Sequence, residues 1–190
     1  MTRSFSFQKH LSEHGISFLM IILFAYVSVL FENQWAVNID LVGGAALLSY
    51  ILFSLRMMPS VILAIVVSML IFKQQGNILA LESAMTVFTC TIGPAVALFI
   101  MSSAKKIHIS TLRSITFKQV LILTFVQAIF CSMFKLFTAI TISSNVTQPE
   151  IADYFLKLFT IDSLGTLAIV YATIKIITYF KKVNPSILID

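Results

Sequence analysis

Six apolar runs, separated by short polar stretches, make up most of the chain. They fall at about Ile16–Phe31, Val37–Leu55, Met58–Phe72, Ile78–Met101, Gln119–Ile142 and Tyr154–Phe180. Crossing a bilayer takes about 20 apolar residues. The pattern therefore predicts an all-α, polytopic transmembrane helical bundle of six spans. The run from Met58 is the short one, roughly 22 Å at 1.5 Å per residue. It is expected to stand upright, thin the bilayer locally or re-enter. Gly43 and Gly44 in the second run allow close helix approach, the main route to tight packing where lipid removes the hydrophobic drive. Pro59 follows the Arg56 turn and suits the first turn of a helix. Pro94 falls late in the fourth run and predicts a kink.

Composition strengthens the membrane reading. The chain of 190 residues is 58% hydrophobic and 11% charged. Its mean hydropathy is +0.97. Soluble domains run to about 45–50% apolar and about 25% charged. The net charge of +5 sits between and beside the apolar runs, so no basic domain exists to bind nucleic acid. Its placement instead sets orientation. With both ends inside, Arg3, Lys9, Arg56, Lys105, Lys106, Arg113, Lys118, Lys181 and Lys182 are cytoplasmic, Lys73 is in an outer loop, and Glu32, Glu150 and Asp153 are outside. The first run follows Arg3 and Lys9 but ends without a small-residue cleavage site, and reads as an uncleaved helix. The organisation expected is a cytoplasmic segment 1–15, one membrane domain 16–182 and a cytoplasmic tail 183–190.

The ionisable residues inside the runs are the chemistry of interest. A charge at the membrane centre costs at least about 2.5 kcal/mol unless paired or hydrated. Glu82, Lys135 and Asp162 fall at depths that agree within roughly 5 Å, and Asp40 lies nearer the outer surface. Helical spacing puts Glu82, Thr86, Thr89 and Gly93 on one face, Gln127, Cys131 and Lys135 on another, and Asp162, Thr166, Ile169 and Thr173 on a third, with Gly165 beside it. These stripes are expected to face one another, with Lys135 pairing Asp162, Glu82 or both around an outward-opening cavity. Two roles stay open: an ion pair that locks the bundle, and a binding or proton-responsive site.

Other signals are weaker. His10-Leu11-Ser12-Glu13-His14 matches the H-x-x-E-H zinc-protease pattern. It sits at a terminus without an acidic third ligand, and reads as a polar approach to the first helix. Cys90 and Cys131 lie in apolar runs without metal-ligand spacing and read as small apolar residues. No phosphate loop or nucleophile elbow is present. No metal, cofactor or enzymatic activity is expected.

Four stretches resemble segments of a known family. Val42-Gly43-Gly44-Ala45-Ala46-Leu47-Leu48, followed by Leu55-Arg56-Met57-Met58-Pro59-Ser60-Val61, is similar to the small-residue helix, basic turn and proline of the MASE1 integral membrane sensor domain. Gly76-Asn77 before Glu82, and Phe159-Thr160-Ile161-Asp162-Ser163-Leu164-Gly165-Thr166-Leu167, resemble two further segments of that family. The resemblance covers about residues 30–180. It implies a signal-input module of the bacterial inner membrane. The family is usually described with about eight spans, so six make a shortened form. No output domain follows Lys182, which implies a stand-alone form that signals through a partner subunit. The family's proline after the Asp-x-Leu-Gly helix is missing around Val170 and Tyr171.

The functional expectation is a sensor-like or accessory subunit in the bilayer. It would have a protein partner in the membrane or at its cytoplasmic face, with the basic segment 105–118 touching that partner or anionic lipid. A small ligand is allowed for. The alternative is a small-solute transporter or the substrate-binding membrane subunit of a vitamin transporter, which has similar size and span number.

Overall fold

The computed structural model describes residues 2–35, 40–72, 80–103, 117–143 and 151–183. They form six α-helices: α1 (Thr2–Trp35), α2 (Val42–Phe53), α3 (Met58–Phe72), α4 (Ala80–Ser103), α5 (Phe117–Thr138) and α6 (Ile151–Val183). A single 3₁₀ turn, Leu55–Met57, joins α2 to α3, and a π turn, Ala139–Ser143, ends α5. Five helical stretches are long and apolar enough to cross a membrane, and the chain is a multi-pass membrane protein. At one end of the bundle the His14 ring of α1 hydrogen-bonds Ser60 in the first turn of α3. The start of α5 meets the later half of α6 through Phe117 and Tyr171, whose ring centroids lie 5.3 Å apart. Lys157 and Lys175, which the orientation count omits, are exposed in the earlier and later parts of α6.

The short element is not the one the run lengths suggest. Leu55–Phe72 counts as a full-length candidate span, while α2 has only 12 residues, about 18 Å. In the second run, expected to cross from Val37 to Leu55, Asp40 and Leu41 are non-helical and the helix begins at Val42. Its burial explains the difference. Every residue from Gly43 to Ile51 is buried, and α2 packs on α1, α4 and α6 at the centre of the bundle. A helix wrapped by protein does not need to match the lipid thickness. Non-helical backbone at Asp40 and Leu41 is likewise tolerated at membrane depth because protein surrounds it. The lipid-facing side chains belong to the outer helices, among them Leu19, Leu23, Leu63, Leu70, Phe99 and Phe137.

Glycine sets the central contact. A Cβ on Gly44 would lie 2.8 Å from the Thr166 backbone and 3.4 Å from the Gly165 carbonyl. Gly43 is held less tightly, with Gln127 Nε2 at 3.1 Å. Gly93 gives room to Cys131, whose Sγ would lie 2.5 Å from an added Cβ. On α3 the small pair Ala64 and Ser68 also faces inward. Pro94 lies inside α4 without ending it. The Tyr50 hydroxyl donates to the Thr91 carbonyl nearby (3.4 Å). Pro59 is in the first turn of α3, as its missing donor favours. The α2–α3 turn is strained at Ser54, a non-glycine residue with φ 77°. Away from the His14 end, Tyr26 and Phe72 bring α1 and α3 together again, with ring centroids 5.7 Å apart.

Gly44→Ala is expected to push α2 from α6 and cost about 1–3 kcal/mol. Gly15→Ala, in the interior of α1 with nothing within 4 Å of the added Cβ, is expected to stabilise by about 0.5–1 kcal/mol. Unfolding of the two variants in detergent, followed by circular dichroism, checks this.

Candidate functional site

Three helical faces and one linker meet near the Asp40 end. Asp40 stands just before α2, its Oδ1 accepting the Val42 N–H at 3.0 Å. The carboxylate thus answers the partial positive charge of the α2 N-terminus. Ser28 of α1 accepts the next free amide, Leu41 N–H, at 3.1 Å. These two bonds fix where the non-helical linker enters the bundle.

Lys135 reaches this point from the last turn of α5. Its ammonium donates to Asp40 Oδ2 at 2.6 Å and to Asp162 Oδ1 at 2.5 Å. Asp162 Oδ2 also accepts from Ser132 at 3.3 Å. Asp162 is only 4% exposed, whereas the side chains of Lys135 and Asp40 are each 23% exposed. One ammonium therefore ties the α1–α2 linker, α5 and α6 together. Both of its carboxylates are held by further donors, the condition under which a buried ion pair is tolerated.

The expected pairing of Lys135 with Asp162 is present, and its second partner is Asp40. Asp40 reads from the sequence as too near the surface to join the layer. The short α2 corrects that reading, because its start lies at the depth of Lys135. The other expected partner, Glu82, falls in the first turn of α4 with a side chain outside the described residues. Most of the basic segment 105–118 is outside them too.

The polar stripes do face each other. Gln127 donates to Thr166 at 3.2 Å across α5 and α6. The Cys131 thiol lies 3.8 Å from the Thr89 carbonyl of α4. Gln127 is 1% exposed, and its Oε1, like the Thr124 hydroxyl one turn away, has no hydrogen-bond partner among the described residues. Gly165 contributes packing, at its contact with Gly44 of α2. Ser132 and Ser28 escaped sequence reasoning. The only signal for Ser132 was its place three residues before Lys135, one helical turn away.

Beside the ion cluster lies a cavity of about 460 Å³. Asp40 and Lys135 stand in its wall. Ala25, Val29, Ile65, Met69 and Met85 give it apolar sides, Ser28, Ser68, Thr86, Thr89 and Thr138 add hydroxyls, and Glu32, Phe72 and Tyr154 also border it. Its size is in the range of pockets for small organic molecules, about 300–1,000 Å³. Among the described residues no group of His, Cys, Asp and Glu is arranged to hold a metal ion. His10 instead contacts Glu13 at 3.2 Å within α1. No protein-family model, curated protein or solved structure matches the chain.

Lys135→Met would leave two carboxylates without their cation. It is expected to cost about 3–5 kcal/mol, the usual penalty for removing one partner of a buried pair. Asp40→Asn leaves Lys135 and Asp162 balanced and is expected to cost about 1 kcal/mol. Denaturant titration of both variants in mixed micelles gives the comparison.

Proposed function

We propose that this protein is a sensor-like or accessory subunit of a bacterial inner membrane, taking a small ligand into its cavity and acting through a partner protein. The observation that carries the reading is the cavity itself: a partly apolar chamber at the Asp40 end with a half-buried, hydrogen-bonded ion cluster in its wall. The positive-inside count turns that end outward. A ligand there would contact α1, α3, α4, α5 and α6 together, so binding could bias how these helices pack. The resemblance to the MASE1 sensor domain supports the same assignment and the need for a partner. Nothing in the site favours catalysis, since its ionisable groups hold each other rather than aim a nucleophile or base into the chamber.

The cavity also favours a second reading, the solute-capturing subunit of a transporter. Both readings require occupancy and differ in the fate of the bound molecule. Protein purified in mild detergent is expected to carry a small molecule visible by native mass spectrometry. Val29→Trp, which fills the chamber from the α1 side, is expected to abolish retention with the fold intact. Absence of any bound small molecule, together with no thermal stabilisation by a metabolite library, overturns the ligand reading. Co-purification of another membrane protein without cellular uptake of the ligand identifies the accessory role. Uptake that depends on this chain identifies transport.

A further inference from the structure

We infer that the cavity selects an organic cation, a protonated amine carried on an apolar body. This rests on the ligand-binding reading above and adds the chemical class. The argument begins with charge. Among the described residues of the cavity wall, Glu32 and Asp40 are acidic and Lys135 is the one basic residue. Lys135 is already engaged by Asp40 and, behind the wall, by Asp162. The cluster of one ammonium and two carboxylates is therefore formally negative, and Glu32 in the same wall adds to it. The partial charge at the start of α2, roughly +0.5, does not cancel this excess. Uncompensated negative charge at membrane depth is costly, and a cation placed beside it recovers that cost.

Asp40 has the acceptor capacity for such a guest. A carboxylate offers about four lone-pair sites. Val42 N–H occupies one on Oδ1, the Gly43 N–H also bonds the carboxylate, and Lys135 takes one on Oδ2. The remaining site belongs to a residue in the cavity wall. Lys135 keeps one N–H beyond the two it gives to Asp40 and Asp162, but an anion accepting it would sit against a cluster whose net charge is already negative.

The rest of the wall separates an organic cation from a metal ion. A hydrated alkali or alkaline-earth ion asks for six or more oxygen ligands. Here Val29, Ile65, Met69 and Met85 supply aliphatic and thioether surface, and the hydroxyls of Ser28, Ser68, Thr89 and Thr138 in the same lining are each already bonded to backbone. The rings of Phe72 and Tyr154 also border the chamber, and aromatic faces attract ammonium groups. This combination suits an apolar body that ends in a charged amine.

The test uses the full chain in lipid nanodiscs and a panel of matched probes: aryl- and alkylamines, with the alcohols and carboxylates of the same carbon skeletons. Amines are expected to bind at least tenfold more tightly than their alcohols, with carboxylates weakest. Asp40→Asn is expected to weaken amine binding about tenfold, as loss of a charge-assisted hydrogen bond does, and to leave alcohol binding unchanged. Glu32→Gln, at an exposed position, is expected to weaken it less and tests the charge argument without risk to the fold. Carboxylates or alcohols binding as tightly as amines would overturn the cation assignment and leave the ligand reading standing. Sodium chloride displacing the amines at equal concentration would overturn it in favour of an inorganic ion. Failure of every probe with the folded protein would remove both.

Discussion

One ammonium group placed between two carboxylates is the constraint on which the bundle depends. Lys135 cannot face lipid and cannot remain in the interior alone. Its two partners come from elements far apart in sequence, Asp40 and Asp162. To reach it, Asp40 stands at the level of the last turn of α5, and α2, which starts just after it, is short and central. A short central helix needs neighbours at close range, which the glycines at 43 and 44 provide. Asp40 and Lys135 also stand in the wall of the cavity. Charge pairing, helix length and the chamber are thus linked through Asp40.

Much of this was legible in the residues, for physical reasons that can be named. Apolar runs near the bilayer thickness specify helices almost without competition, because backbone polar groups have no other way to be satisfied in lipid. The stripes on α5 and α6 were visible because their polar side chains recur at helical spacing. The short helix was not visible. The run from Val37 to Leu55 is mostly apolar, and composition does not distinguish a helix buried in protein from one facing lipid. Hence the shorter third run drew suspicion instead, and Asp40 read as nearer the outer surface than Lys135 and Asp162. Ser28 carries a linker amide and Ser132 a carboxylate. Each is a lone hydroxyl whose partner lies at least 13 residues away, and no local pattern announces such pairs.

The functional reading rests on how the interior is divided. Below the ion cluster, Gln127, Thr166 and Ser132 bind one another or Asp162 across the α5–α6 contact, and the space is filled. Beside it the packing gives way to a chamber of mixed apolar and hydroxyl lining with an acidic excess. A purely structural ion pair requires the first arrangement and has no use for the second. The chamber touches helices on opposite sides of the bundle, so a bound molecule would report to most of the fold. That suits a subunit whose conformation is read by a partner, and equally one that hands its ligand on.

The claim that Lys135 and its carboxylates act as a unit is open to direct energetic measurement. A double-mutant cycle combining Lys135→Met with Asp162→Asn, read by reversible unfolding in mixed micelles, isolates their coupling. The account predicts a double variant more stable than Lys135→Met alone, with a coupling energy of about 1–3 kcal/mol. Strictly additive losses would mean that the two side chains do not sense each other, and would contradict it.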